Sequence, residues 1–447
     1  MARIFISFLG IGPEGEGYDS LTYFNKDVAV GEQTSFVQRA IIEMKGQDTI
    51  DKILVLCTHE SLSDFYPELK EELVNDLHVA PDKITYEKIS RTLTSDKQWE
   101  LFSLVNRSIG KEDRVIFDFT HGFRLSSIIL SAAVGFIQTS KPNVIIEHVF
   151  YGQKQDAIRG ELIDMKAFYV INEWAHGVDR FISGADMGKL VALASKEKEQ
   201  TTFSGLNNSE LVKALDRVSR TIKDVHTNEI GSRTHKAFEI IQKIKSECRP
   251  EEKELLDLIL TKFERLNVPG EKTEYYGASY LETQLNFSKM LADHGLFMQA
   301  FTVMQELIVS IGMLGCNKNH INKKINTSAG RGYRIKGDVF FSLCRFSEAD
   351  WKYTNDQKKE KISPDEMGNF HEVEPFYQKL KNYKIRGGKN IAETLQEFVK
   401  EMAEYRNGFD HAWTGKGDVK EGAGTKAHRY IVEIEHVLSG LKEHHII

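Results

Sequence analysis

Four short runs of Ile, Val, Leu and Phe, alternating with stretches of helical spacing, dominate the first 160 residues and constrain the fold more than anything else in the chain. They are "RIFISFLG" (3 to 10), "KILVLC" (52 to 57), "RVIFDF" (114 to 119) and "NVIIEHVFYG" (143 to 152). Each is apolar almost without interruption, which means a strand buried on both faces. "TSFVQRAIIEMK" and "FRLSSIILSAAVGFIQ" supply helices to cover those faces. The pattern predicts a mostly parallel α/β sheet. In such sheets a ligand sits outside the carboxyl ends of the strands.

Beyond about residue 160 the strand signal fades. "LIDMKAFYVINEWAHGVDRFI" and the charged run after Lys196 read as helices, and "NVPGEKTEYYG" (267 to 277) reads as a linker. Phe297, Ala300, Phe301, Met304, Leu307, Ile308, Ile311 and Leu314 then recur at steps of three and four, an amphipathic stripe. At 447 residues the chain exceeds one ordinary core. We therefore expect an α/β unit over 1–160, a helical connector over 161–270 and an all-α unit over 271–447.

Hydrophobic residues at 41% and charged residues at 28% fit a globular chain. The net charge of −6 argues against coating a duplex by bulk electrostatics, so no stable DNA complex is expected. Cys57, Cys248, Cys316 and Cys344 are too scattered for a zinc site and suit a reducing compartment. The apolar stretch from Ser126 to Ile137 falls short of the roughly 20 residues that cross a bilayer. "MARIFISFLG" reads as a first strand and not as a signal peptide, so the expectation is a cytoplasmic protein without a membrane partner. The basic segment 316 to 337, with Lys318, Lys323, Lys324, Arg331, Arg334 and Lys336, reads as a loop, solvated in the ordinary reading and RNA-contacting in the alternative.

Two motifs carry chemistry. "DFTHGFR" (118 to 124) lies where a buried strand ends and a helix begins, so the first-turn N–H groups of that helix point into the crevice. Thr120 and His121 add polar contacts, Gly122 permits close approach, and Arg124 brings a fixed positive charge. An ordinary strand–helix turn with Thr120 as N-cap is the competing reading. Leu9 and Gly10, Thr58 and His59, and Gly152 and Gln153 end neighbouring strands and line the same crevice. "GIGPEG" (10 to 15) matches a dinucleotide-binding fingerprint, but it does not open a helix, and its two Glu would repel a pyrophosphate.

The second motif is "EYRNGFDH" (404 to 411). Ile391, Leu395, Phe398, Met402, Tyr405 and Phe409 step by four and three and define the buried stripe of one helix. On a wheel of about 100° per residue, Arg406, Asn407, Asp410 and His411 share the face away from that stripe. A hydrated polar face is the ordinary meaning of such a pattern. Arg can clamp a phosphate, however, and His can move a proton near neutral pH. Metal-site and serine or cysteine nucleophile signatures are missing: "HEVE" (371 to 374) lacks the second His of a zinc helix.

Together the motifs resemble a known family. "DFTHG" (118 to 122) is similar to the D-x-T-H-G signature of CRISPR-associated proteins with a Rossmann-like sensor (CARF) domain. "RNGFDH" (406 to 411) resembles the R-x4-6-H motif of HEPN ribonucleases, with Asn407 as the polar residue that follows the Arg. Their order is that of the stand-alone ribonucleases of type III CRISPR systems. The resemblance implies a CARF domain, a helical connector and an all-α HEPN domain. It further implies a homodimer that binds a cyclic oligoadenylate, here expected to be cyclic tetra-adenylate, on a two-fold axis. Leu9, Gly10, Thr58, Thr120, His121, Gly122, Arg124, Gly152 and Gln153 are the residues assigned to that activator. Cyclic hexa-adenylate serves related enzymes, so ring size stays open, as does further stacking of dimers.

The resemblance also implies metal-independent cutting of single-stranded RNA at a composite site, with Arg406, Asn407 and His411 as catalytic residues and no catalytic cofactor. Two alternatives remain at this level. One is a ligand-sensing regulator whose HEPN part only dimerises, and the other is a ring nuclease that degrades the activator near Thr120 and His121.

Overall fold

The structure is a computed structural model and describes residues 1–12, 17–122, 124–196, 203–269, 276–316, 328–351, 364–385, 388–410 and 422–447. The chain divides into two compact units, Met1–Glu173 and Trp174–Ile447. The division falls within a helix, Lys166–Gly184.

The first unit is built on one eight-stranded sheet. Its strands are β1 (Arg3–Leu9), β2 (Leu21–Asn25), β3 (Val28–Thr34), β4 (Lys52–Cys57), β5 (Ile84–Lys88), β6 (Arg114–Asp118), β7 (Ile145–Lys154) and β8 (Arg159–Asp164). They lie in the order β3-β2-β8-β7-β6-β1-β4-β5. β1 runs parallel to both β4 and β6, β4 to β5, and β6 to β7. β2 is parallel to β8, while β2–β3 and β7–β8 are antiparallel. The mostly parallel sheet expected from the apolar runs is therefore present, with an antiparallel extension on one side.

Adjacent residues of the central strands feed opposite cores, which is why these runs are apolar throughout. Phe5, Val55 and Ile116 pack under α1 (Val37–Lys45) with Val37, Ala40 and Ile41. Ile6, Leu54 and Phe117 pack on the other face. There they meet Leu101, Leu104 and Val105 of α4 (Ser95–Ser108), and Leu130, Ala133, Val134 and Ile137 of α5 (Arg124–Ser140). Between α1 and α4 lie two short helices, α2 (His59–Asp64) and α3 (Tyr66–Glu71).

Two readings of the sequence need correction here. The segment from residue 162 is not helical from its start: Leu162, Ile163 and Asp164 end β8, where Leu162 is buried against the sheet and the strand gains ladder bonds from β7. The helix, α6 (Lys166–Gly184), begins two residues later, where the N–H of Lys166 donates to Asp164 Oδ1 at 3.0 Å.

The second unit is helical. After α6 come α7 (Gly188–Lys196), α8 (Ser209–Lys223), α9 (Ile230–Ile244) and α10 (Pro250–Phe263). Then follow α11 (Ala278–Asp293), α12 (Phe297–Cys316), α13 (Ser328–Arg345), α14 (Phe370–Leu380), α15 (Ile391–Asp410) and α16 (Ala423–Glu443). The expected stripe on α12 is buried from Ala300 to Leu314, and so are Val303 and Val309 on its flanks. This helix is long and apolar enough to cross a bilayer, yet 67% of its apolar stretch is buried inside the chain. It is the core helix of the unit.

The second correction concerns the basic segment. Its described part is the start of α13 rather than a loop, and two of its cations are already neutralised. Arg334 holds Asp338 at 2.8 Å and Glu306, and Lys336 pairs with Glu372. Lys318, Lys323 and Lys324 lie outside the described residues, and so does most of the expected linker, residues 270–275.

Candidate functional site

β1 lies between β4 and β6, and the chain reaches those neighbours by crossovers on opposite faces, so the switch point of the sheet lies between the ends of β1 and β6. The DFTHG stretch occupies that point. Ser7 of β1 pairs in register with Asp118 of β6. Its hydroxyl donates to Asp118 Oδ2 at 2.6 Å, and both residues are fully buried. The other carboxylate oxygen accepts from the Thr120 N–H at 3.0 Å and from the Thr120 hydroxyl. An Asp at a strand end that accepts from the N–H two residues on forces a sharp turn. Burial raises the Asp118 pKa, while the hydrogen bonds from Ser7 and Thr120 oppose that rise.

Thr120 is saturated as well. Its hydroxyl donates to Asp118 and accepts from the Gly152 N–H at 2.8 Å, which ties the β6 turn to β7. Gly152 leaves no room for a side chain: a Cβ there would stand 2.7 Å from Val37 Cγ2 and 3.3 Å from Thr120. Thr58 is also internally engaged. It caps α2, accepting from the Ser61 N–H at 3.2 Å, while its own N–H donates to Ser61 Oγ at 2.9 Å. The Leu9 side chain is buried in the core, and Gln153 is exposed on β7.

What the crevice leaves for a ligand lies around the loops after β1 and β6. Gly10 lies so close to the second loop that a Cβ would be 2.9 Å from the His121 carbonyl and 2.4 Å from the Tyr18 hydroxyl. Gly122 packs against Phe8, where a Cβ would be 2.9 Å from the ring. The His121 ring stacks on Tyr18 with centroids 3.7 Å apart. Its Nε2 is buried and has no hydrogen-bond partner among the described residues. Desolvation lowers its pKa to about 3, so the ring is neutral at physiological pH. Arg124 opens α5 directly behind this loop.

The structure thus brings Gly10, Thr120, His121, Gly122 and Gly152 together. Thr58 and Leu9 end adjacent strands but turn their side chains into the fold. Ser7 and Tyr18 were missed from sequence. The strand pairing that brings Ser7 to Asp118 has no local signal, whereas an aromatic directly after a glycine-rich turn was a readable one.

The second site residues sit on α15. Ile391, Leu395, Phe398, Met402 and Tyr405 are buried as the helical steps require. Phe301 of α12 stacks on Tyr405 at 5.5 Å and lies 6.0 Å from both Phe409 and Tyr430. Lys426 of α16 pairs with Glu401 at 2.8 Å, which fixes α15 against α16. Arg406 and Asn407 fall off the core stripe, with Asn407 exposed. Arg406 reaches Asp410 one turn on, Nη2 to Oδ2 at 3.5 Å, and its Nε is buried without a partner among the described residues. A buried guanidinium N–H with no acceptor is unsatisfied, and an anionic oxygen would complete it. His411 lies outside the described residues.

No protein-family profile matches the chain, and no curated protein matches it either. Among solved structures it is similar to Enterococcus italicus Csm6 bound to cyclic hexa-2'-fluoro-hexa-dAMP. That likeness covers 99% of this chain and 95% of the other, with 11% sequence identity and a TM-score of 0.45. At those values it carries no argument about activity.

Proposed function

We propose that the chain is a single-strand endoribonuclease switched on by a cyclic oligoadenylate, of the CARF–HEPN kind that its two motifs resemble. The observation that carries this reading is the pair of placements described above. A DFTHG turn stands at the switch point of a parallel sheet, and an Arg-Asn pair stands on the non-core face at the end of an amphipathic helix, in one chain. The first is where such sheets receive ligands. The second carries a guanidinium whose Nε has no partner among the described residues, a group that a phosphate oxygen can pair.

In this reading the cyclic oligoadenylate lies over Gly10, His121 and Gly122, with Arg124 supplying charge. Cyclic tetra-adenylate is the first ring to test and cyclic hexa-adenylate the second. The active form is a homodimer. α5 supports that: from Leu125 to Ser140 it contains no charged residue, yet it exposes Leu125, Ile128 and Phe136 by 39%, 65% and 47%. Charges near a two-fold axis would meet themselves, so an uncharged apolar face is suited to a second copy of this chain.

The reaction assigned to α15 and its twin is attack of an RNA 2′-OH on the adjacent phosphorus. The 2′-O–P bond forms, the P–O5′ bond breaks, and a 2′,3′-cyclic phosphate and a 5′-OH result. Arg406 stabilises the charge that builds on the phosphoryl oxygens. His411 acts as general acid or base for the proton that leaves the 2′-OH or the one that reaches the 5′ oxygen. Asn407 orients one of these groups. On an ideal helix Arg406 and His411 are about 140° apart, too splayed to hold one phosphate, so two helices are required. The test is end-group analysis of a cut RNA. Activator-dependent products with a 2′,3′-cyclic phosphate, formed in chelator and absent in His411→Ala and Arg406→Ala, are expected. Cleavage by Arg406→Ala at the wild-type rate contradicts the reading.

A further inference from the structure

Tyr18 is the residue in the crevice for which neither the fold nor the assigned reaction accounts. Its ring lies against His121 at a centroid separation of 3.7 Å and an interplanar angle of 26°. The Gly12 backbone supplies a hydrogen bond to its hydroxyl, and burial raises its pKa. The backbone around it is turned by glycines, with Gly12 at φ +74° and Gly17 at φ +87°, and Gly17 N–H donates to the Ile11 carbonyl at 2.9 Å. These are left-handed conformations that glycine adopts without strain.

Beneath Tyr18 lies His121, a neutral ring whose buried Nε2 has no partner among the described residues. An orphaned buried nitrogen is rare and calls for a ligand. The ring also offers a flat π-face at the switch point, and in this structure Tyr18 already occupies that face. A planar ligand that stacks on that face must first take the place of Tyr18. A nucleobase is the ligand chemistry that fits, because every base has such a face and stacking on an aromatic side chain is a common means of base recognition.

We propose that the His121 ring is a purine-stacking subsite of the crevice, covered on one face by Tyr18 in this structure. This rests on the reading of the crevice as a cyclic oligoadenylate site. Binding then exchanges one stack for another, Tyr18 off and adenine on, and brings a polar group of the nucleotide within reach of Nε2. The Tyr18 side chain is a competitor for its own pocket. Losing it strengthens binding by the worth of the displaced aromatic pair, about 2- to 10-fold. Losing the His121 ring weakens binding by about 5-fold or more, the usual effect of removing a base-stacking side chain.

The experiment is titration calorimetry of the full-length chain with cyclic tetra-adenylate and cyclic hexa-adenylate. The variants are Tyr18→Ala, Tyr18→Leu, His121→Phe and His121→Leu, with circular dichroism confirming that each is folded. The proposal expects both Tyr18 variants to bind more tightly than wild type, His121→Phe to retain most affinity, and His121→Leu to lose it. Wild-type binding with either folded Tyr18 variant no tighter, or with His121→Leu unimpaired, overturns the subsite alone. A wild-type chain that takes up neither ring overturns the crevice reading, and the subsite with it.

Discussion

Replacing Thr120 by Val keeps the shape of the side chain and removes one hydroxyl. That hydroxyl donates to Asp118 and accepts from the Gly152 N–H at 2.8 Å. Its loss leaves a backbone donor unpaired and takes one of three hydrogen bonds from a fully buried carboxyl. An orphaned buried group costs about 1–3 kcal/mol. Thr120 is only half-buried, so the two losses together amount to about 2–4 kcal/mol. For a unit of this size each kcal/mol moves the melting temperature by about 2–4 °C, so the fall is roughly 4–16 °C. Calorimetric melting of the full-length chain, read at its first transition, is the assay. Thr120→Ser keeps the hydroxyl and is expected to retain most of that stability. A Val variant within about 1 °C of wild type, or a Ser variant as damaged as Val, refutes the argument that Thr120 is a tie between β6 and β7.

Three further outcomes follow from other parts of the fold. The folded His121 pKa of about 3 lies below the unfolded value near 6.5. The unfolded chain therefore takes up the extra proton first, and the stability from neutral His121 is complete above about pH 6.5 and lost as pH falls toward 3. Relative to His121→Phe, wild type should lose about 2 kcal/mol between pH 7.5 and pH 5.0 in urea melts, and equal losses would contradict the burial. Phe301→Ala should cost about 3–5 kcal/mol, because a fully buried ring touching Tyr405, Phe409 and Tyr430 leaves a cavity beside α15; a loss under 1 kcal/mol in the same melts would remove Phe301 from the core. Ile128→Asp, at a position 65% exposed, should leave the melting temperature within about 2 °C while shifting sedimentation toward the monomer. An unchanged sedimentation profile would free α5 from any part in pairing.

The strands that could be read from the sequence are the central ones. β1, β4 and β6 are buried on both faces over most of their length, and their apolar runs are nearly continuous, whereas β7 is buried only around Ile146 to Phe150. β2, β3, β5 and β8 lie on the flanks or the antiparallel extension; β3 shows solvent to Val28, Ala29, Gly31, Glu32 and Gln33, so its composition resembles a loop. The β2–β8 pairing joins strands far apart in the chain, while β2–β3 and β7–β8 are short hairpins. Leu162 to Asp164 passed for helix because three strand residues adjoin a strongly periodic helix. The start of α13 passed for a loop because its cations were counted without their partners Glu306, Asp338 and Glu372.

The same distinction holds for the sites. The position of DFTHG followed from where a strand ends, and the orientation of Arg406 and Asn407 from helical phase. The roles within DFTHG did not follow. Asp118 and Thr120 spend their polar groups on Ser7 and Gly152, contacts across 111 and 32 residues that exist only because β1, β6 and β7 are neighbours. The chemistry left over belongs to His121, and Tyr18, 103 positions earlier, covers it.

The central claim is that a ligand in the first unit controls an RNA-cutting site that needs Arg406 and His411. It is tested most directly by the cleavage rate of a single-stranded RNA reporter, with chelator present, across a panel of cyclic oligoadenylates. The account predicts cutting with one ring size, none without activator, and none by His411→Ala under any condition. Cutting that ignores the activator, or that survives in His411→Ala, would contradict it.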